Sequence, residues 1–160
     1  MDNLVAKDIM TAPVLVVKDT EMLPNFLNLI IDHGINGMPV INEKDELVGI
    51  VTKTDLMIHE LKRELNSIYE TDLQNLIKNS KIENGFMYEL DELDQFAKTI
   101  TVTDIMNSNV ITAEMNTSVT EICTIMKKRK IDHIVIMKRN AIAGIITVRD
   151  IIKILATESA

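Results

Sequence analysis

Two pairs of side chains in this sequence have the types and spacing to hold a ligand: Thr52 with Asp55, and Thr147 with Asp150. A carboxylate has two acceptor oxygens, which match the two donors of a ribose diol. A threonine three residues earlier offers a hydroxyl to a phosphate oxygen. At the start of a helix the pair would also meet free backbone N–H groups and a partial positive charge of about +0.5. Threonine and aspartate are also favoured helix caps, so a single pair is explained by capping alone.

The surrounding residues say more. Gly49-Ile50-Val51-Thr52-Lys53-Thr54-Asp55 reappears as Gly144-Ile145-Ile146-Thr147-Val148-Arg149-Asp150. Each copy is an apolar strand that stops at threonine and opens an apolar helix. Earlier, Asp8-Ile9-Met10 matches Asp104-Ile105-Met106, and the same separation aligns Val14 with Val110 and Ile35 with Ile131. A hairpin one residue shorter in the second copy then brings the Gly, Thr and Asp positions into line. Two copies of about 50 residues imply one supersecondary unit used twice.

Each unit reads β-α-β-β-α after a short helical lead-in. In the first, Ala6–Met10 leads in, Val14–Val17 is a strand, and Asp19-Thr20 caps a helix. That helix carries Leu23, Phe26, Leu27, Ile30 and Ile31 on one face, has Pro24 in its first turns and ends at Gly34. Strands Met38–Ile41 and Leu47–Thr52 flank a charged turn, and a second helix starts near Asp55. The second unit repeats this with strand Val110–Thr112, helix Ser118–Lys128, strands Ile134–Met137 and Ile142–Thr147, and a helix from Asp150. A helix between the first two strands makes that pair parallel. Three strands covered by helices on one face leave the other face needing cover, which a second unit supplies. The expected fold is therefore mixed α/β (α+β): tandem units packed through their sheets as one pseudo-two-fold module. Its divisions are residues 1–58, an acidic and mostly helical connector at 59–99, and residues 100–160. The connector reads as a helix extension with a solvated segment, or as a surface for a partner.

The ordered set, Asp-Ile-Met at the front and Gly-x-x-Thr-x-x-Asp at the back, twice and in register, resembles the cystathionine-β-synthase (CBS) domain pair, or Bateman module. The resemblance covers about residues 5–58 and 100–156. It implies adenosine-containing ligands: AMP, ADP, ATP, S-adenosylmethionine or a cyclic dinucleotide. It also implies that each Thr–Asp pair faces strands of the opposite repeat. Thr52 and Asp55 would face Asn109, Val110, Ile111 and Ile131-Asp132-His133-Ile134. Thr147 and Asp150 would face Pro13, Val14, Leu15 and Asn36-Gly37-Met38-Pro39. Strand backbones would bind the adenine edge, and Val14, Met38, Val110 or Ile134 would sandwich the ring. His133 stands where the family often has a basic residue for phosphate, and Gly37 holds the matching place in the first copy. Arg149 replaces Thr54 beside the second aspartate. A flat homodimer is a further expectation of the resemblance.

Composition narrows the remaining classes. The chain has 160 residues, 46% hydrophobic and 26% charged, with a net charge of −7. That balance suits a soluble globular protein and argues against general nucleic-acid binding. Aromatics make up 3%, too few for base-stacking platforms. No apolar run approaches a membrane span and no signal peptide is evident, so a cytoplasmic protein is the expectation. Cys123, the single cysteine, lies in an apolar helical series and reads as a buried structural thiol. His33, His59 and His133 lack metal-ligand spacing, no catalytic triad can be placed, and there is no Walker or Rossmann glycine pattern. Lys127-Lys128-Arg129-Lys130 suits a helix C-terminus. The expected role is a stand-alone nucleotide-sensing regulatory module, not an enzyme, that signals to a partner protein. The competing expectation is a ligand-independent scaffold in which Asp55 and Asp150 only cap helices.

Overall fold

Gly34 and the two hairpins set the boundaries of the regular elements. The computed structural model describes residues 4–59 and 99–158. The connector read at 59–99 lies, apart from its two end residues, outside the described residues. The first repeat contains α1 (Ala6–Ile9), β1 (Val17–Lys18), α2 (Leu23–His33), β2 (Gly37–Ile41), β3 (Leu47–Thr52) and helix α3, described over 53–59. The second contains α4 (Val102–Ile105), β4 (Thr112–Glu114), α5 (Val119–Arg129), β5 (His133–Lys138), β6 (Ala141–Thr147) and α6 (Val148–Glu158).

The strands form two three-stranded sheets, β1-β2-β3 and β4-β5-β6. In each, the first pair is parallel and the second antiparallel. The ladders carry a bulge at the same place, between Val40 and Ile41 and between Ile136 and Met137. The two repeats are therefore in register down to a backbone irregularity. On β5, Ile134 and Ile136 enter one hydrophobic core, while Val135 on the opposite face is also fully buried, so both faces are covered.

Several boundaries differ from expectation for physical reasons. Both first strands start later than read at Val14 and Val110, and the first is also shorter. Leu15 and Ile111 pack against the cores just ahead of the paired residues, and Ile111 meets its ladder only through the carbonyl that accepts from the Val135 N–H. Asp19-Thr20 does not cap α2; the cap position is Met22, and Glu21 Oε1 accepts from the Met22 N–H at 3.3 Å and Asn25 Nδ2 at 2.7 Å. Pro24 does sit in the first turn, and Gly34 ends the helix at φ 62°. Ile31 is 71% exposed, off the buried stripe of Leu23, Phe26 and Ile30. In the second repeat Ser118 caps α5 by accepting from the Glu121 N–H, and Lys127, Lys128 and Arg129 fill its last turn. Cys123 is only half-buried.

The lead-in segments are exchanged. Val102, Ile105 and Met106 pack into the core of Leu23, Phe26, Ile30, Met38 and Val51, which belongs to the first repeat. Ala6, Ile9 and Met10 pack into the core of Ile122, Met126, Ile134, Ile136 and Ile146, which belongs to the second. Backbone hydrogen bonds fix both crossings. Thr11 and Ile145 exchange N–H···O bonds of 2.9 and 3.1 Å, and Asn107 and Ile50 exchange bonds of 2.9 and 3.0 Å. Each lead-in thus caps the open edge of the other repeat's sheet.

The exchange explains the glycines of the repeated stretch. A Cβ on Gly144 would lie 2.7 Å from Met10 Sδ and 2.9 Å from the Thr11 carbonyl oxygen. A Cβ on Gly49 would collide with Met106 Sδ. The glycine of one repeat makes room for the methionine of the other's Asp-Ile-Met.

Candidate functional site

Each Thr–Asp pair stands where a sheet runs straight into a helix. Thr147 is the last residue of β6, and both its N–H and its hydroxyl donate to Asp150 Oδ2, at 2.9 and 2.6 Å. The first copy matches: the Thr52 N–H and hydroxyl donate to Asp55 Oδ2 at 2.8 and 2.6 Å, and the Asp55 N–H donates to Thr52 Oγ1 at 3.3 Å. Two expectations are corrected by these bonds. The single hydroxyl proton of each threonine is directed to its aspartate, so the threonine cannot donate to a phosphate oxygen in this arrangement. One oxygen of each carboxylate is committed to the cap, which leaves Oδ1, not both oxygens, for a ligand. The first helical N–H groups are also engaged, Lys53 N with the Asn36 carbonyl at 2.9 Å and Val148 N with that of Asp132 at 3.1 Å.

A third pair of the same spacing, which sequence reasoning passed over, makes the same cap. The Thr101 N–H and hydroxyl both donate to Asp104 Oδ2 at 2.8 Å. These two bonds, the backbone one first, hold the Asp104 carboxyl below its ordinary value of 3.8. Asp104 is exposed on the short α4, whereas Asp150 is 9% exposed, the one buried charged residue among those described. Capping is common to all three pairs. What separates Asp150 is its surroundings.

Asp150 opens onto a cleft of ≈ 470 Å³. One wall is Thr147, Val148, Arg149, Asp150 and Lys153, with Asp132, His133 and Ile145 beside it. The other wall comes from the first repeat: Thr11 and Gly34-Ile35-Asn36-Gly37. Among the predicted residues, Thr147, Arg149, Asp150, Gly37 and His133 are thus brought together. Pro13, Val14 and Leu15 are not in the lining; Thr11 takes that side because it bridges to Ile145. Pro39 is buried within β2, and Met38 and Ile134 are 0% exposed in the cores, so neither of the last two presents a side chain to sandwich a ring. Of the residues expected opposite Asp55, Val110, Ile111 and Ile131 are half-buried, and the Ile111 carbonyl accepts from the Val135 N–H at 3.4 Å. Ile131 borders a second hollow of ≈ 430 Å³ with Cys123, Lys127 and Lys130.

Thr11, Ile35, Ile145 and Lys153 line the cleft but were not expected at the site. Lys153 carried a usable signal: it stands one turn beyond Asp150, and its Nζ lies 3.5 Å from Asp150 Oδ1. His133 was expected opposite Asp55. Its ladder partner is Thr147, which brings it into the lining of the Asp150 cleft. Burial pushes the imidazole below its ordinary value of 6.5, against the opposing pull of Asp132, Asp55 and Asp150. A histidine with a lowered folded value stabilises the fold above 6.5, and that contribution is lost as pH falls through 6.5 toward the folded value. The wild type should therefore lose more stability between pH 7.5 and 5.5 than His133→Gln, measured by urea denaturation. Parallel pH profiles for the two proteins would rule this out.

Comparison with known proteins decides the family. The CBS domain profile matches residues 6–62 and again 102–157, well over half of the chain. The chain belongs to the CBS domain family. An uncharacterized protein of Methanocaldococcus jannaschii is 28% identical over 155 residues, covering 95% of this chain and 91% of its own. An inosine-5'-monophosphate dehydrogenase of that organism is 26% identical over 153 residues, but the chain spans only 23% of it. Among solved structures, the CBS domain pair of protein MJ0100, in complex with 5'-methylthioadenosine and S-adenosyl-L-methionine, has a TM-score of 0.68 at 23% identity, covering 97% of this chain and 98% of that one. CBSX2 in complex with AMP has a TM-score of 0.68 at 18% identity, covering 98% of each chain. The mixed α/β architecture of two three-stranded sheets is that of a CBS pair. Among the described residues no helix is long and apolar enough to cross a membrane, and no group of three or more His, Cys, Asp or Glu is set to hold a metal.

Proposed function

We propose that this CBS pair is a regulatory module, not a catalyst, that binds an adenosine-containing ligand between its repeats. The observation that carries this reading is the Asp150 cleft, where a buried carboxylate with one committed oxygen faces a wall from the opposite repeat. Oδ1 of Asp150 accepts from a ribose hydroxyl, and the 34–37 segment approaches as backbone. The ligands held by the MJ0100 pair and CBSX2 support the adenosine class. Because both repeats line the cleft, occupancy acts on their relative placement, and a partner protein reads it. Signalling of this kind requires different ligand affinity in two states.

A thermal-denaturation panel of AMP, ADP, ATP, S-adenosylmethionine and cyclic di-AMP tests the reading. A ligand present at about ten times its dissociation constant should stabilise by roughly 1.4 kcal/mol. Asp150→Asn keeps an acceptor for the cap and should weaken that response. No response to any of the five at millimolar concentration would favour the scaffold reading instead.

A second copy of the chain is the proposed cover for the exposed apolar residues Met57 and Ile58 on α3 and Val148, Ile152 and Leu155 on α6. Such side chains cluster at self-association surfaces. Sedimentation velocity should show a dimer that Ile152→Glu converts to monomer; a wild-type monomer at high micromolar concentration rejects the assignment.

A further inference from the structure

The two aspartates differ in the charge their helices place beside them. In register, α6 presents Arg149 and Lys153 where helix α3 presents Thr54 and Ile58. Both cations line the Asp150 cleft. Lys153 is held loosely: its side chain is 70% exposed and its nitrogen stands 3.5 Å from Asp150 Oδ1, long for a charge-assisted bond. Asp132 also borders the cleft, so its two fixed cations are matched by two carboxylates and His133 decides the balance. His133 has no counterpart side chain in the first repeat, where Gly37 occupies the position. There is no room for one, since a Cβ on Gly37 would meet Thr52 Cγ2 and the Val51 carbonyl oxygen, each at 2.7 Å.

Resting on the adenosine reading above, we propose that the Asp150 cleft sorts ligands by charge, and that Lys153 with Arg149 makes it selective for a phosphorylated one. Ligand hydroxyls displace Lys153 from Asp150, and the freed ammonium swings to the phosphate. The groups acting on His133 are Asp132, Asp55 and Asp150, with Arg149 and Lys153 on the same wall. Burial keeps the imidazole uncharged near neutral pH, and an entering phosphate reverses that preference. The phosphorylated ligand therefore arrives with uptake of a proton by His133, which an uncharged ligand does not require.

AMP and 5'-methylthioadenosine share the adenosine group and differ in phosphate, so they are the probes. Isothermal titration should show Lys153→Met weakening AMP about tenfold, while 5'-methylthioadenosine changes less than about twofold. The AMP heat should vary with the ionisation enthalpy of the buffer at pH 7, and His133→Gln should shift that dependence to the part carried by the phosphate's own ionisation, at about pH 6. Equal weakening of both ligands, or an unchanged AMP affinity, overturns the charge sorting while leaving adenosine binding intact. An AMP heat with the same buffer dependence in the wild type and in His133→Gln overturns the role of His133. If neither probe binds the wild type at millimolar concentration, the adenosine reading falls and the sorting with it.

Discussion

Val102→Asp is expected to destabilise the protein by about 3–5 kcal/mol, the cost of an uncompensated charge in a sealed interior. Val102 is 0% exposed and sits among Leu23, Phe26, Ile30 and Met38, so the damage falls on the first repeat although residue 102 lies in the second. Domains of this size have stabilities of about 5–15 kcal/mol, and such a loss is readable by urea denaturation. Hydrogen exchange gives the location. Amides at 26–30 in α2 and at 38, 40 and 41 in β2 should lose protection before those at 134–136 in β5. Protection lost first at 134–136 would mean that the lead-in serves its own repeat, contrary to the packing described. Ala6→Asp is the mirror experiment, with the order of loss reversed.

Gly144→Ala should cost about 1–3 kcal/mol, the range for overpacking a filled interior. Gly49→Ala should cost less, and the difference follows from what each added methyl would meet. At Gly49 the closest atom is the end of the Met106 side chain, which can rotate away, and the Asn107 carbonyl is 3.4 Å off. At Gly144 the Thr11 carbonyl is 2.9 Å off and is tied to the Ile145 N–H, so backbone must move. Thr11 lines the Asp150 cleft, and the variant should also lose ligand affinity there. Met10→Ala in the Gly144→Ala background should recover only part of the loss, because the Thr11 contact remains. Equal denaturation midpoints for the two alanine variants would overturn this account.

The repeat and its elements were legible because period, caps and turns are local. The spacing of Leu23, Phe26 and Ile30, the stop at Gly34 and the hairpins all follow from neighbours in sequence. The exchange of lead-ins was not legible. Asp8-Ile9-Met10 and Asp104-Ile105-Met106 offer nearly the same side chains, and the two cores that receive them are equally aliphatic. No local signal tells which lead-in fills which core. The first strands were misplaced because an apolar run reports packing and does not report ladder pairing. At the site, charge was readable: Arg149 and His133 stand out against Thr54 and Gly37. Direction of hydrogen bonding was not, and it is direction that turns each threonine from a phosphate donor into a donor to its own aspartate. Thr101 and Asp104 show the limit of motif reading, since the same spacing there makes a cap on an exposed turn.

The pairing of each glycine with the opposite methionine also bears on how such a chain changes over generations. After a duplication, two copies are ordinarily free to diverge, one holding the old task while the other varies. Here Gly144 answers to Met10 and Gly49 to Met106, so a bulkier residue at either glycine is better borne alongside a smaller one far away in the other copy. The halves are bound to evolve as correspondents. Their freedom to differ lies at positions such as 54, 58, 149 and 153, which that exchange does not touch.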